Sequence, residues 1–220
     1  MNKPIIIIGN GGHASVLTEI ILAQGEKILG FTAPTLEKNG FSLPYLGIDD
    51  EIIQSYQATE IELVLGLGMI QPSPLREKIY NHFRVKGYQF KSIIHPSSII
   101  APSVKLGHGI QIMAGAIVQT NTTIADNTII NTGALIDHDC QIESHIHIAP
   151  GTKISGNVHI QEGTHIGTGA TIIQGIHIGE NCLIGAGAVV VKNIKSNVKV
   201  FGVPAKEVEL YEAVAKNNRD

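Results

Sequence analysis

From residue 93 to residue 194 the chain repeats a six-residue pattern of apolar and polar positions without a break in register. In each of the seventeen blocks the second residue is aliphatic, and the residue four positions later is small or of modest size. The aliphatic positions are Ile94, Ile100, Leu106, Ile112, Val118, Ile124, Ile130, Ile136, Ile142, Ile148, Ile154, Ile160, Ile166, Ile172, Ile178, Ile184 and Val190. Such a short fixed period indicates a solenoid, because one large and one small inward residue per six suits a short strand followed by a turn. Three units close a triangular coil of about eighteen residues, so the pattern predicts a parallel β-helix over residues 93–206.

The residue before each small position is the predicted corner of the coil. It is glycine in eight blocks and asparagine in five, and the other four blocks carry Ser97, Ser103, Asp139 and His145. Glycine and asparagine tolerate positive φ, so we predict a left-handed conformation at the corners. Asp139 and His145 depart from this rule, and a local rule broken without structural gain is where function is expected.

The first ninety-two residues alternate between strand and helix patterns. A run of four isoleucines predicts a buried strand over residues 5–8, followed by a glycine loop and a helix that stops at Gly25. Further strands are predicted over residues 27–32, 62–67 and 89–94, and helices over residues 49–57 and 72–85. This alternation predicts a small α/β domain of Rossmann-like type over residues 1–92. Residues 207–220 are assigned to a tail with a short helix.

The loop after the first strand fits a phosphate-binding fingerprint. Gly9, Gly11 and Ala14 have the spacing of the dinucleotide motif, in which glycines admit a phosphate to the start of a helix. An NAD site also requires an acid at the end of the second strand, where this chain has Thr32-Ala33. The pattern therefore favours a nucleotide or a nucleotide-sugar diphosphate over NAD, and a tight turn without a ligand remains the alternative.

Composition excludes several classes of function. The net charge is −3 and the aromatic content is 5% with no tryptophan, so neither a basic field nor base stacking indicates nucleic-acid binding. No apolar run approaches the ~18 residues of a membrane span. Cys140 and Cys182 fall on inward positions of different faces, so we expect free thiols rather than a disulfide, and a cytoplasmic protein.

The histidines divide into stacked pairs and one special case. His147 and His165 are eighteen residues apart, as are His159 and His177, so each pair is expected to stack outward on a solvated face without a metal. His138 instead lies between two aspartates, Asp137 and Asp139. A carboxylate beside an imidazole raises its basicity and orients its ring, as a general base requires.

Together, the hexapeptide prism, the glycine loop and the His138-Asp139 pair resemble the bacterial sugar O-/N-acyltransferases of the NeuD/PglD type. The resemblance covers nearly the whole chain and implies a left-handed β-helix. It implies that His138 is the catalytic base and that Asp139 raises its basicity. It also implies that His147, Thr168 and Ala186 contact acetyl-CoA. Direct transfer by a histidine base requires no metal, and none is expected.

The same resemblance places the sugar acceptor against the glycine loop, at Gly11, Gly12, His13 and Gly68. Family members that act on uridine nucleotide sugars have an acidic pair after the second strand, and Thr32-Ala33 departs from that pattern. The nucleotide base is therefore left open, as is the question of whether His13 contacts the acceptor or only caps the loop.

The resulting functional hypothesis is direct acetyl transfer from acetyl-CoA to the amine of a nucleotide-linked sugar of the 4-amino-4,6-dideoxy type, for surface polysaccharide synthesis. The alternatives are O-acetylation of a sialic-acid-like sugar and a noncatalytic trimeric scaffold. His138 and His147 are expected on different faces of one prism, so a neighbouring prism would complete the site. This geometry and the family resemblance both predict a homotrimer.

Overall fold

The computed structural model describes residues 3–36 and 38–208, which form an α/β domain followed by a prism of short strands. The first domain contains a three-stranded parallel sheet in the order β2-β1-β3. Its elements are β1 (Ile5–Ile8), α1 (Gly12–Ala23), β2 (Ile28–Thr32), α2 (Asp49–Ser55), β3 (Glu62–Leu65) and α3 (Leu75–Arg84). The order and direction of the strands are those of a small Rossmann-like sheet, as the alternating pattern predicted.

The sheet of this domain is covered on both sides, which explains why β1 is apolar at every position. Ile5 and Ile7 pack in the cluster that contains α1, whereas Ile6 and Ile8 pack with residues of α2 and α3. Helix α1 lies so close to the sheet that a Cβ at Gly66 would be only 2.8 Å from the Cβ of Ala14. Gly66, the residue directly after β3, is therefore required for the position of the glycine loop.

Three parallel sheets form the faces of the prism, and each is built from strands of two residues. The first face contains β4 (Ile93–Ile94), β7 (Gln111–Ile112), β10 (Ile129–Ile130), β13 (His147–Ile148), β16 (His165–Ile166) and β19 (Leu183–Ile184). The second contains β5 (Ile99–Ile100), β8 (Ile117–Val118), β11 (Leu135–Ile136), β14 (Lys153–Ile154), β17 (Thr171–Ile172) and β20 (Val189–Val190). The third contains β6 (Lys105–Leu106), β9 (Thr123–Ile124), β12 (Gln141–Ile142), β15 (His159–Ile160) and β18 (His177–Ile178). These faces confirm the left-handed parallel β-helix.

Each coil takes eighteen residues, since Ile130 pairs with Ile112 on one side and with Ile148 on the other. The aliphatic second residue and the small sixth residue of each block point inward together, and most of them are buried in one continuous core. Cys140 and Cys182 are free buried thiols in this core and precede strands of different faces, as predicted.

The predicted corners have positive φ at all eight glycines and at four of the five asparagines. Asp139 and His145 adopt the same conformation, with φ of 59° and 62°. Three predicted corners were wrong, because Ser97, Ser103 and Asn193 are not left-handed.

The hexapeptide register ends at β20, so the prediction that it continues to Ile194 was wrong. Ile194 pairs with Ile178, sixteen residues earlier, and therefore takes a strand position instead of the small inward position. The Asn193 side chain closes this turn by accepting a hydrogen bond of 2.9 Å from the backbone N–H of His177. The chain then forms β21 (Lys199–Phe201) and an antiparallel β22 (Lys206–Glu207).

Other boundaries also differ from the sequence prediction. The strand expected over residues 89–94 is only a bridge between Phe90 and Leu63, followed by β4. Helix α3 begins at Leu75 because Pro74 occupies its N-cap. Glu207 lies in a strand and Val208 is not helical, so the predicted terminal helix was wrong at these two residues; its residues 209–216 fall outside the described residues.

The first domain covers the first face of the prism, and this contact overturns one histidine prediction. His147 and His165 stack with ring centroids 5.0 Å apart but are buried, at 7% and 6% exposure, instead of solvated. His159 and His177 stack on the third face with centroids 4.8 Å apart and remain partly exposed. Sequence spacing placed both pairs outward, but it could not show which face another domain covers.

Within residues 3–36 and 38–208, no helix combines the length and the hydropathy needed to span a membrane.

Each inward isoleucine of the prism should contribute strongly to stability. We expect Ile160→Ala to lower the free energy of unfolding by about 2–5 kcal/mol, because the residue is fully buried and leaves a cavity. Chemical denaturation followed by circular dichroism measures this change. Gln141→Ala, an outward and exposed position on the adjacent strand, is the matched control. A loss equal to that of the control would contradict the inward assignment.

Candidate active site

His138 lies on an exposed corner of the prism, between β11 of the second face and β12 of the third. Its Nδ1 is 2.7 Å from Asp139 Oδ2, and Asp139 Oδ1 accepts a hydrogen bond of 3.1 Å from Asn121. Since an ionised carboxylate can only accept, Nδ1 carries the proton and the Nε2 lone pair is left free. The hydrogen bond to Asp139 raises the pKa of His138 above its ordinary value of 6.5, and the carboxylate of Asp137 adds to this effect.

The ring of His138 rests on Gly156, one coil further along the chain. A Cβ at Gly156 would lie 2.5 Å from the His138 Cε1 and 2.6 Å from its Nε2, so any other residue would displace the ring. Sequence analysis did not identify Gly156, although its place eighteen residues after His138 is the signal that could have found it. Asp139 and Gly156 therefore fix the orientation of the imidazole from two sides.

A second group of predicted residues lines a cavity of about 600 Å³ between the glycine loop and the prism. Gly11, Gly12, His13, Gly68 and His147 all line it, so the structure brings the four predicted acceptor residues together with one predicted coenzyme residue. The loop leads into α1, whose first turn has no acidic residue and no side-chain cap. The free N–H groups of that turn favour an anion such as a phosphate.

His13 joins the glycine loop to the prism. Its Nε2 lies 2.7 Å from Gln111 Oε1, and the amide nitrogen of Gln111 donates to the Leu65 carbonyl at 2.8 Å. Burial lowers the pKa of His13 to about 4, so the ring is neutral at physiological pH. His13 therefore has a structural contact of its own as well as a place in the cavity wall.

His147 is held as one neutral tautomer. Its Nδ1 donates to the Met69 carbonyl at 2.5 Å, and its Nε2 accepts from the Asn131 amide at 3.0 Å. Burial is the main reason that the pKa of His147 falls to about 3. Both ring nitrogens are thus engaged within the chain, and His147 connects the loop after β3 to the first face of the prism.

His145, the other unusual corner residue, belongs to a network that docks α3 on the prism. The buried Arg76 donates to Asn127 Oδ1 at 2.8 Å, which leaves the Asn127 amide nitrogen to donate to His145 Nδ1 at 2.8 Å. Arg76 also donates to the Leu67 carbonyl, and burial lowers its pKa to about 9. Tyr80 lies edge-on against the His145 ring, with centroids 5.6 Å apart. This corner is therefore explained by domain packing.

The same network decides whether His145 could bind a metal ion. The ligand atoms of His145, Glu77 and Glu162 lie within 4.8 Å of one another. Because Nδ1 of His145 accepts from Asn127, its Nε2 carries the proton and faces Glu162 at 3.5 Å. A protonated nitrogen donates a hydrogen bond and does not coordinate a cation, so this arrangement favours packing over a metal site.

Thr168 and Ala186, the other two predicted coenzyme residues, lie on a different corner from His138. They follow β16 and β19, are eighteen residues apart and are both exposed. Close stacking depends on Gly167, where a Cβ would lie 2.6 Å from the Ala186 backbone nitrogen. Among the residues that the structure describes, neither backbone N–H has a hydrogen-bond acceptor, so both can donate to a bound molecule.

We expect Asp139→Asn to lower the pKa of His138 toward 6.5, because the substitution removes the negative charge that stabilises the imidazolium. Asparagine tolerates the positive φ of this corner, so the fold should be unchanged. A pH titration of the His138 ring signal by NMR measures the shift, and Glu60→Gln on the other domain is the control. An unchanged titration would show that Asp139 does not tune His138.

Comparison with known proteins finds a matching family model in each of the two domains. Residues 4–83 match the family model described as the PglD N-terminal domain. Residues 157–192 match the bacterial transferase hexapeptide model, which consists of six repeats.

Solved structures resemble nearly the entire chain. The acetyltransferase domain of PglB from Neisseria gonorrhoeae has 32% identity and a TM-score of 0.89, over 94% of this chain and 100% of that one. PerB from Caulobacter crescentus, in complex with CoA and GDP-perosamine, has 34% identity and a TM-score of 0.85, over 94% and 97%. WeeI from Acinetobacter baumannii has 25% identity and a TM-score of 0.84, over 94% and 100%. The chain therefore belongs to the acetyl-CoA-dependent sugar acyltransferases of the NeuD/PglD type.

Proposed function

We propose that this sugar acetyltransferase transfers the acetyl group of acetyl-CoA directly to the amine of a nucleotide-linked sugar of the 4-amino-4,6-dideoxy type, for surface polysaccharide synthesis. The observation that carries the proposal is the His138-Asp139 pair, which leaves a basic Nε2 free on an exposed edge. The free thiols of Cys140 and Cys182 fit a reducing compartment, so we place the enzyme in the cytoplasm.

His138 would act as the general base of the transfer. Its Nδ1–H donates to Asp139, so Nε2 can accept the proton that the attacking amine loses. Asp139 would stabilise the imidazolium that results, and Gly156 leaves the space in which the ring lies. The amine nitrogen would form a bond to the thioester carbonyl carbon, the C–S bond would break, and the leaving CoA thiolate would take up the proton held by His138. A neutral amine is a strong nucleophile, so orientation and one base suffice without a covalent enzyme intermediate.

The corner formed by Thr168 and Ala186 fits the coenzyme. Acetyl-CoA would supply the acetyl group as a thioester, and the amide carbonyls of its long arm accept hydrogen bonds. Ala186 has no polar side chain, so its contribution would come from its unpartnered backbone N–H. The Thr168 N–H lies one coil away, which gives two stacked donors along one groove. We propose His147 as a third contact, from the wall of the acceptor cavity.

The cavity at the glycine loop would hold the nucleotide sugar, with contacts from Gly11, Gly12, His13 and Gly68. Its volume of about 600 Å³ and the free N–H groups of α1 suit a sugar diphosphate. N-acetylation is preferred to O-acetylation because a similar solved structure is that of perosamine N-acetyltransferase with CoA and GDP-perosamine.

A homotrimer would complete the site, and the three faces of the prism support this assembly. The first domain covers the first face, and the outward residues of the third face are all polar. The second face instead presents four apolar side chains in its outward row, and two of them are among the exposed large hydrophobic residues. They are Ile99, Ile117, Leu135 and Val189. Burying this row against two further copies is the simplest way to remove it from water.

Such packing would also unite the separated halves of the site. His138 lies at one border of the second face, and Thr168 and Ala186 lie at the other. If three copies turn their second faces toward a common axis, the His138 corner of each copy meets the Thr168 corner of its neighbour. Each active site would therefore take its base from one copy and its coenzyme groove from the next.

His138→Ala should lower kcat by about 10²-fold or more because it removes the general base, while the trimer should persist. Release of thiol from acetyl-CoA measures the rate, and light scattering measures the assembly. For the unsubstituted enzyme, kcat/KM should rise with pH through the raised pKa of His138, since only the neutral ring accepts a proton. Full activity in His138→Ala would contradict the assignment.

The same assay distinguishes the alternative functions if it uses GDP-, UDP- and dTDP-linked 4-amino sugars beside a free sialic-acid-type sugar. Release with one nucleotide amino sugar supports the proposal. Release only with the free sugar acid would indicate O-acetylation. A trimer that binds acetyl-CoA but releases no thiol with any acceptor would indicate a scaffold.

Complementation tests the shared site. His138→Ala and Ala186→Trp should each be inactive alone, because the first lacks the base and the second blocks the groove. Mixed trimers from equal amounts should recover roughly a quarter of the sites, those in which an intact His138 corner meets an intact Ala186 corner. Activity that stays absent after verified subunit mixing would show that the site lies within one chain.

A further inference from the structure

Strand β2 does not end in an acidic residue, but a carboxylate from a later helix lies beside its last residue. Thr32, the last residue of β2, is fully buried and donates its hydroxyl to Asp49 Oδ1 at 2.6 Å. Asp49 is the first residue of α2, seventeen positions later in the chain. Among the described residues, Asp49 Oδ2 has no hydrogen-bond partner, so this oxygen is free to accept from a ligand.

The end of the second strand has a known role in nucleotide binding by Rossmann-like sheets. An acid at the end of the second strand accepts hydrogen bonds from the ribose hydroxyls of a nucleotide whose phosphates lie on the glycine loop. Here the glycine loop adjoins the same point, because the Gly9 N–H donates to the Thr32 carbonyl at 3.0 Å. Asp49 therefore lies beside the phosphate loop, where a ribose attached to those phosphates would be.

A cavity next to Asp49 provides room for the base of such a nucleotide. It has a volume of about 400 Å³, and its walls include the apolar side chains of Ala33, Pro34, Ile48 and Ile79. Charged and polar side chains complete the walls, namely Asp50, Lys78 and His82 beside Asp49. Apolar surface with a few polar groups is typical of small-molecule sites. This cavity is distinct from the one below the glycine loop, which has none of these residues in its wall.

We propose that Asp49 binds the 2′,3′-diol of the nucleotide sugar and makes the enzyme selective for ribonucleotides over 2′-deoxyribonucleotides. This inference rests on the proposed function, since it specifies the class of nucleotide in the acceptor. An ionised carboxylate only accepts, and two adjacent hydroxyls supply two donors to it. Thr32 fixes one oxygen of Asp49 and so orients the other. UDP- and GDP-linked sugars carry the diol, whereas dTDP-linked sugars lack the 2′-hydroxyl.

Calorimetric titration of the full-length protein with GDP and with 2′-deoxy-GDP tests the proposal, and UDP and 2′-deoxy-UDP form a parallel pair. We expect the ribonucleotide to bind about 10- to 100-fold more tightly than its deoxy form, as for a hydrogen bond to a charged group. Asp49→Asn keeps an oxygen that can accept from Thr32 but removes the charge. It should weaken ribonucleotide binding by a similar factor and abolish the preference for the ribose.

Two further variants define the result. Glu60→Gln removes an exposed carboxylate that lines neither this cavity nor the one at the glycine loop, and it should leave the ribose preference intact. Thr32→Val should reduce the preference, because Asp49 loses the contact that orients it. Equal binding of the ribo and deoxy forms to the unsubstituted protein, an unaffected Asp49→Asn, or no nucleotide binding at all would overturn the proposal.

Failure of the proposed acetyl transfer would give a different result from failure of the Asp49 proposal. In that case thiol release from acetyl-CoA would be absent, but the ribose preference in the titrations could still be present and lost in Asp49→Asn. If the protein both transfers acetyl groups and binds the ribose through Asp49, Asp49→Asn should raise KM for the nucleotide sugar and leave kcat nearly unchanged. The reason is that Asp49 contacts the nucleoside and not the reacting amine.

Discussion

The left-handed corner is the constraint on which the rest of the molecule depends. Most corner residues adopt a positive φ so that the chain can turn after two residues of strand, and three such turns return it one layer higher. Positions eighteen residues apart are therefore forced into contact. The ring of His138 over Gly156, the stacked amides of Thr168 and Ala186, and the paired histidines all result from this single requirement.

The three faces of the prism are chemically alike inside and different outside. Their inward residues form one aliphatic core, so stability is spread along the axis. Their outward residues decide what covers them: a domain on the first face, water on the third, and an apolar row on the second. The residues to which we assign the chemistry lie at the corners, where side chains leave the core without disturbing it. Buried histidines at the domain junction lose their charge, whereas the exposed His138 gains basicity.

Sequence reasoning predicted the prism, most of its corners and the alternation of the first domain because each depends on a local pattern. It failed where the outcome depends on distant contacts. Spacing placed His147 and His165 outward but could not show that a domain buries them. His145 was marked as unusual, yet only the structure reveals its link through Asn127 to Arg76. The search for an acid after β2 failed because Asp49 reaches that point from a later helix. The predicted roles of the site residues stay predictions.

The shortened last coil has a consequence for the behaviour of the molecule in concentrated solution. A solenoid of identical coils ends in unpaired strand edges, which can receive the first coil of another molecule and extend into fibres. Here the sixteen-residue turn breaks the repeat, and β22 runs antiparallel along β21, which itself pairs with β19 of the first face. An arriving coil would meet a mismatched edge. The departure from the period therefore acts as a terminal cap that limits the length of the assembly.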